Sequence, residues 1–273
     1  MLPRPLLYQP ASPLRTYFTE LMAFTWHNAV ACTFPVLIFI TLAVSNILHI
    51  PGLPRYDFIL IVCILIQVAM VTSKMETKDE VLVITVFHLL GLAMEIFKVQ
   101  KGSWVYPEDA YTKFMGVPIY SGFMYASVAS YICQAWRRLD LQFMQWPNRK
   151  LVMVLGAAIY FNFFTHHYFY DMRWIITGCI LILFFKTWVG FTNNSLQRRI
   201  PMVAAFFLIG MFIWFAENIA TFLGAWQYSY QHKAWRMVGV GKLSSWGLLV
   251  IVSIIIVAEL KFWKEDMQAR NNR

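Results

Sequence analysis

Two carboxylates stand inside long apolar runs, each followed at the same distances by the same residue types. Glu95 precedes Gly102, Trp104 and Tyr106 in EIFKVQKGSWVY; Glu217 precedes Gly224, Trp226 and Tyr228 in ENIATFLGAWQY. A carboxyl group buried among apolar side chains holds its proton more tightly than one in water. Such an acid can protonate a carbon–carbon double bond, and aromatic faces attract the cation that forms. Glu95 and Glu217 are therefore candidate catalytic residues, and Trp104, Tyr106, Trp226 and Tyr228 candidate substrate-binding residues. A structural alternative stands beside this one: paired glutamates that tie two equivalent loops to two equivalent helices. Glu95, with Lys98, Glu108 and Asp109 nearby, is expected to be the more reactive of the two.

Further polar residues fall in NFFTHHYFYDMR, which carries Asn162, His166, His167 and Asp171, and Asn218 adjoins Glu217. All five join the candidate substrate-binding set. Asn162 and His166 share a helix face, as do His167 and Asp171 if the helix reaches them. His166 and His167 point about 100° apart on a regular helix, which makes them poor co-ligands. No HxxxH or ExxH pair supplies metal-ligand spacing, so no metal is expected and no cofactor is specified. No nucleotide-binding loop or nucleophile elbow is present.

The elements that position these residues must be membrane helices. The 273-residue chain is 59% hydrophobic and only 14% charged, against about 45–50% and about 25% in soluble domains. Eight apolar runs follow, roughly 26–48, 57–75, 80–98, 115–136, 150–170, 173–192, 201–223 and 243–263. Each is long enough to cross a hydrocarbon core of about 30 Å. The expected fold is all-α, with eight transmembrane helices. An N-terminal cytoplasmic or interfacial segment (1–25) and a cytoplasmic tail (264–273) flank them. The start of the chain shows no cleavage-site pattern.

Fourteen Lys and Arg lie in the connections on the side of the termini, against eight on the other. Basic residues favour the cytoplasmic side, so both termini are expected there, in a bacterial inner membrane. The formal charge of +9 then reads as membrane anchoring. Nucleic acid is excluded as a partner, since no basic face is spaced to follow a phosphate backbone. The four cysteines fall in four different runs and read as packing residues.

The offset of about 122 residues between the glutamates extends to Lys113, Gly116, Val117 and Ser121, which match Arg236, Gly239, Val240 and Ser244 after one insertion. It also carries the first span onto the fifth. A parallel 4+4 internal repeat, 26–136 and 150–263, is the expectation. Spans three, five and seven then run the same way, which brings Glu95, His166, His167, Asp171 and Glu217 to one end of the bundle.

The segments PRYDF, FHLLGLAMEIFK, GSWVYPE, GVPIYSGFMYASVASYI, YFNFFTHH, AENIATF and KLSSWGLL resemble the YoaT-like family of bacterial integral membrane proteins over most of the chain. That resemblance implies a multi-pass fold and no defined reaction. Residues 95–118, and less clearly 217–240, are also similar to bacterial carotenoid hydratases and cyclases, which implies alkene protonation by a carboxylic acid. The paired-acid PxEE pattern of the cyclases is absent. Two function classes follow. One is an intramembrane enzyme acting on a long apolar, isoprenoid-like lipid. The other is a small-solute transporter or a non-catalytic binding or scaffold protein, with membrane lipid, an apolar small molecule and a second copy of the chain as its admissible partners.

Overall fold

Where side chains offer lipid nothing but hydrocarbon, a backbone that bonds every N–H and C=O within its own segment must be helical. The computed structural model describes residues 13–193 and 196–271, and those residues are mostly helical. The helices are α1 (Pro13–Ala31), α2 (Thr33–Ser45), α3 (Arg55–Thr72), α4 (Lys78–Gln100), α5 (Ser121–Arg138), α6 (Arg149–Thr165), α7 (Arg173–Phe184), α8 (Met202–Phe222) and α9 (Lys242–Asn271). Side chains such as Leu65, Leu82, Ile182 and Phe212 are exposed on the outside of the bundle. That is the arrangement expected of helices whose solvent is lipid.

Helix occurs at all eight expected positions, but not always with the expected length. α3, α4, α8 and α9 are long and apolar enough to cross a membrane, and the α1–α2 pair, bent by 63°, makes a fifth if counted as one crossing. α5 is 18 residues long but carries Ser121, Ser127, Ser130 and Gln134, all buried. It packs against α1, α2, α4 and α9, so neighbouring helices, not lipid, meet its polar and small residues. α6 stops at Thr165, five residues short of expectation.

Three expectations need correction. The segment 1–25 is not separate from the first span: residues 13–25 belong to α1, which runs on to Ala31 before the bend, while residues 1–12 lie outside the described residues. The span expected over 173–192 is helical only to Phe184, and Trp188–Asn193 is a strand. Its apolar, β-branched and aromatic residues suit either backbone, and hydropathy alone does not separate the two. The fold is accordingly not purely α. β3 (Gln142–Met144), β4 (Trp188–Asn193) and β5 (Leu196–Pro201) form an antiparallel sheet in the order β3-β4-β5. β1 (Lys113–Phe114) and β2 (Val117–Pro118) form a hairpin whose turn places Met115 and Gly116 at positive φ. The three-stranded sheet anchors α1, with Arg198 forked onto the Glu20 carboxylate, Asn193 Nδ2 donating to the Glu20 carbonyl at 2.7 Å and Phe24 against Phe191.

The packing has a repeated form. α2 lies against α3 and α5, α6 against α7 and α9, α4 against α5, and α8 against α9; α5 and α9 also touch each other. Glycines permit the two closest pairings. A Cβ on Gly91 of α4 would fall on the Tyr125 ring of α5, and one on Gly210 of α8 would lie 3.2 Å from Gly247 Cα of α9.

At the end of α4 remote from Glu95, the α3–α4 turn buries another carboxylate. Glu76 is 3% exposed and accepts hydrogen bonds from Gln67 and Ser130, with Glu80 and Arg137 facing it. Burial holds its carboxyl above the usual carboxylate range against the opposing pull of those two donors. A folded state that keeps a proton more tightly than the unfolded chain loses stability as pH rises through that interval. Glu76→Gln is therefore expected to flatten the pH dependence of thermal unfolding in detergent. Relative to wild type it should gain stability as pH rises above the ordinary carboxylate range. A gain equal at every pH would show that Glu76 does not titrate there.

Candidate polar chamber at one end of the bundle

α4 and α8 end alike. Each is followed by a glycine at positive φ, Gly102 at 68° and Gly224 at 73°, the left-handed conformation that closes a helix C-terminus without a Cβ penalty. Each turn sends its chain back across the helix end. The two returning segments meet: Val105 N–H donates to the Gln227 carbonyl and Gln227 N–H to the Val105 carbonyl, both at 2.9 Å. Val105 and Gln227 hold matching positions at the 122-residue offset, so equivalent residues pair reciprocally.

That return aims aromatic donors at both glutamates. Trp104 Nε1 (2.7 Å) and Tyr106 Oη (2.8 Å) donate to Glu95 Oε2, and Tyr125 of α5 donates to Oε1 at 2.7 Å. Glu217 accepts from Tyr228 at Oε1 and from Trp246 of α9 at Oε2 (2.5 Å). Glu95 and Glu217 are 6% and 2% exposed. Trp226 is buried beside this network, and Trp246 fills the place that Trp104 has in the other half. Trp104 and Tyr228 meet edge to face at 5.9 Å. Glu95, expected to be the more reactive glutamate, is the more heavily bonded.

Arg55, at the start of α3, locks this layer from the side. Its guanidinium donates to Ser45 Oγ (2.9 Å), Glu108 (2.5 Å), the Leu223 carbonyl (2.6 Å) and the Gly224 carbonyl (3.2 Å). Asp57, two residues along the same helix, accepts from the backbone N–H groups of Tyr111 and Thr112 and from the Thr112 hydroxyl.

The remaining expected residues divide into two sets. Asn218 is spent on structure: its side chain donates to the Trp214 carbonyl and accepts from Val238 N–H. Asn162 braces the α6–α7 turn by accepting from Met172 N–H and donating to Asp171, which pairs with Arg173 at 2.7 Å. His166 and His167 differ from the helical expectation. α6 ends before them, so their rings, instead of diverging, lie 4.2 Å apart and both Nε2 atoms face Lys98 Nζ, at 3.3 and 2.9 Å. His167 and Asp171 do not share a helix face, because the helix does not reach them. His88 is half-buried, with its Nδ1 atom buried and unpartnered against Gly122.

Lys98, Arg173 and Lys242 complete the chamber, and spacing within one element did not mark them as a group. Lys242 Nζ stands 4.7 Å from the Tyr228 ring centre and 5.6 Å from that of Trp104. Beside these cations a cleft opens between α4, α6 and α9. Its inner part, about 40 Å³, is walled by Met94, Ile159, Leu248 and Val252 with Asn162 and His166. Arg173 and Ser245 stand at its neck and also border an open vestibule of about 470 Å³ lined by Lys242 and Tyr230. Among the described residues no three His, Cys, Asp or Glu side chains gather as metal ligands do.

Apolar helices exposed on the outside, with a polar and aromatic chamber at one end, define a membrane-associated helical bundle with an amphipathic cleft. The chain belongs to the family described as "Protein of unknown function (DUF817)", whose model matches residues 20–254. It is 56% identical over 247 residues to the Uncharacterized protein YoaT of Bacillus subtilis (strain 168), covering 90% of this chain and 94% of that protein. The YoaT-like resemblance read from the sequence is thus the family relationship. The local likeness to carotenoid enzymes gains no support from it. No solved structure matches the chain.

Proposed function

We propose that this chain is a multi-pass protein of the bacterial cytoplasmic membrane that holds a lipid-like ligand in the cleft between α4, α6 and α9, as a binding or transport protein. The observation that carries the reading is the continuity of the cleft. An apolar inner wall passes at Arg173 and Ser245 into a polar, open vestibule, the pattern that an amphiphile requires. Two parallel four-helix halves, 26–136 and 150–263, are favoured by the repeated packing of α2–α5 and α6–α9 and by the reciprocal Val105–Gln227 pair. On this reading α5, α6 and α7 also cross, as shorter or shielded helices, giving eight crossings. The fourteen-to-eight distribution of basic residues supports cytoplasmic termini.

Acid catalysis on an isoprenoid-like substrate is the second reading, favoured by the position of Glu95 beside Met94 of the cleft wall. Against it, Trp104, Tyr106 and Tyr125 already occupy both oxygens of Glu95, and Glu217 is held in the same way. A proton donor must face its substrate, so the binding reading is preferred.

The test fills the neck. Ser245→Trp, in protein purified in mild detergent, is expected to remove most of the lipid that wild type retains, measured by mass spectrometry of the extract at unchanged monodispersity. Retention of the same lipid in the same amount would sink the reading.

A further inference from the structure

Lys98 is 4% exposed, yet among the described residues its ammonium meets no carboxylate at ion-pair distance. Its neighbours are the two imidazole Nε2 atoms and the face of Phe163, 4.1 Å from the ring centre. His166 Nδ1 lies 3.0 Å from the Asn162 carbonyl and must donate there. Its Nε2 is then a neutral acceptor for Lys98, not a counter-charge. Buried charges are ordinarily paired, because removing an ion from water without an opposite charge is costly. The neighbouring cations increase the excess. Lys98 faces both Lys242 and Arg173, and Lys242 also has no ion pair among the described residues. Arg173 alone has a partner, Asp171, while its other terminal nitrogen points to Ser244 at 3.4 Å. Glu95 and Glu217 are the other carboxylates in range, and both are turned to aromatic donors.

These cations stand where the cleft changes character. Arg173 belongs to both its parts, Lys242 to the vestibule, and Lys98 lies behind His166 and Phe163 of the inner wall. Deepening the lipid-binding reading, on which it rests, we infer that the cleft binds a lipid with a phosphomonoester head. The head lies in the vestibule against Arg173 and Lys242 with Lys98 behind it, and the apolar chain runs inward along α6 and α9 past Leu249 and Val252. Two cations without carboxylate partners match a head of about −1.5 to −2 charge at neutral pH. Lysine acts on phosphate as a point charge, and Arg173, whose Nη1 meets only Ser244 at 3.4 Å, adds a directed donor.

The experiment titrates delipidated protein in neutral detergent, by native mass spectrometry, with dioctanoyl phosphatidic acid, dioctanoylglycerol and inorganic phosphate. Wild type is expected to take up one phosphatidic acid, at least about tenfold more tightly than dioctanoylglycerol, which has the same tails and no charge. Lys242→Gln is expected to lose about tenfold for phosphatidic acid and nothing for dioctanoylglycerol. Lys98→Gln should do the same if it folds, and Lys242→Gln, at a helix start, carries the test if it does not. Equal binding of both lipids, insensitive to Lys242, would overturn the phosphate head and leave the cleft reading standing. Inorganic phosphate binding as tightly as phosphatidic acid would overturn the lipid and indicate a soluble anion. Failure of both lipids to bind would remove the inference and the cleft reading together.

Discussion

Glu95→Leu is expected to unfold the chamber end of the bundle, whereas Glu95→Gln is expected to be mild. Leucine has similar bulk but accepts nothing, so Trp104 N–H, Tyr106 O–H and Tyr125 O–H would all lose their partner inside the protein. Each buried donor left unpaired costs about 1–3 kcal/mol, so the total for three is on the order of 3–9 kcal/mol. Glutamine keeps one oxygen for Trp104 and Tyr106 and turns its amide to Tyr125, whose hydroxyl can rotate to accept. At residue 217 the same leucine orphans two donors, Tyr228 and Trp246, and should cost less. Thermal unfolding of the three variants in detergent measures this. If Glu95→Gln left folding intact and ligand retention unchanged but abolished a chemical conversion of the retained lipid, the catalytic reading would displace the binding one.

Arg55→Met carries the second large effect. One guanidinium joins the end of α2, the Glu108 carboxylate of the loop after α4, and two carbonyls at the end of α8. Carbonyls at a helix C-terminus have no partner within the helix and sit at its negative pole. Methionine preserves the stem and its packing but leaves those acceptors without their cation, at a cost of about 3 kcal/mol. Arg55→Lys should recover part of this, since a single ammonium cannot span acceptors arranged for a planar fork. Unfolding midpoints in the order wild type, Arg55→Lys, Arg55→Met are expected. Equal midpoints for Arg55→Met and wild type would mean the latch contributes nothing.

What was legible in the sequence was whatever a short stretch of chain decides. Glycine, tryptophan and tyrosine at fixed distance from a glutamate place the aromatic donors on the acid, because a helix end and one reversal intervene and little else. Tyr125 and Trp246 were missed because they come from the following helices, about 30 residues on, and do not match under the repeat offset. Trp226 matches Trp104 in sequence, yet Trp246 holds the equivalent place on the acid. Apolar runs marked the positions of α2 to α9 but not every end, because hydropathy scores WVGFT the same whether its backbone is helical or extended. The cationic group was hidden for a different reason: Lys98, Arg173 and Lys242 come from α4, α7 and α9 and converge only in three dimensions.

The reciprocal pair between Val105 and Gln227 has a consequence for how the chain is made. The loop after α4 emerges from the ribosome 122 residues before the segment that pairs with it, and Arg55 precedes the carbonyl of Leu223 by 168 residues. At about 5–20 residues per second the first of these intervals lasts roughly 6–25 s. Throughout it the early helices reside in the membrane with an unfinished rim: one strand edge unpaired and one arginine without its acceptors. Completion of the rim thus reports that the eighth helix has been delivered. A truncated or stalled product would keep its edge open, and so present to the quality-control proteases of the membrane a mark that the finished protein lacks.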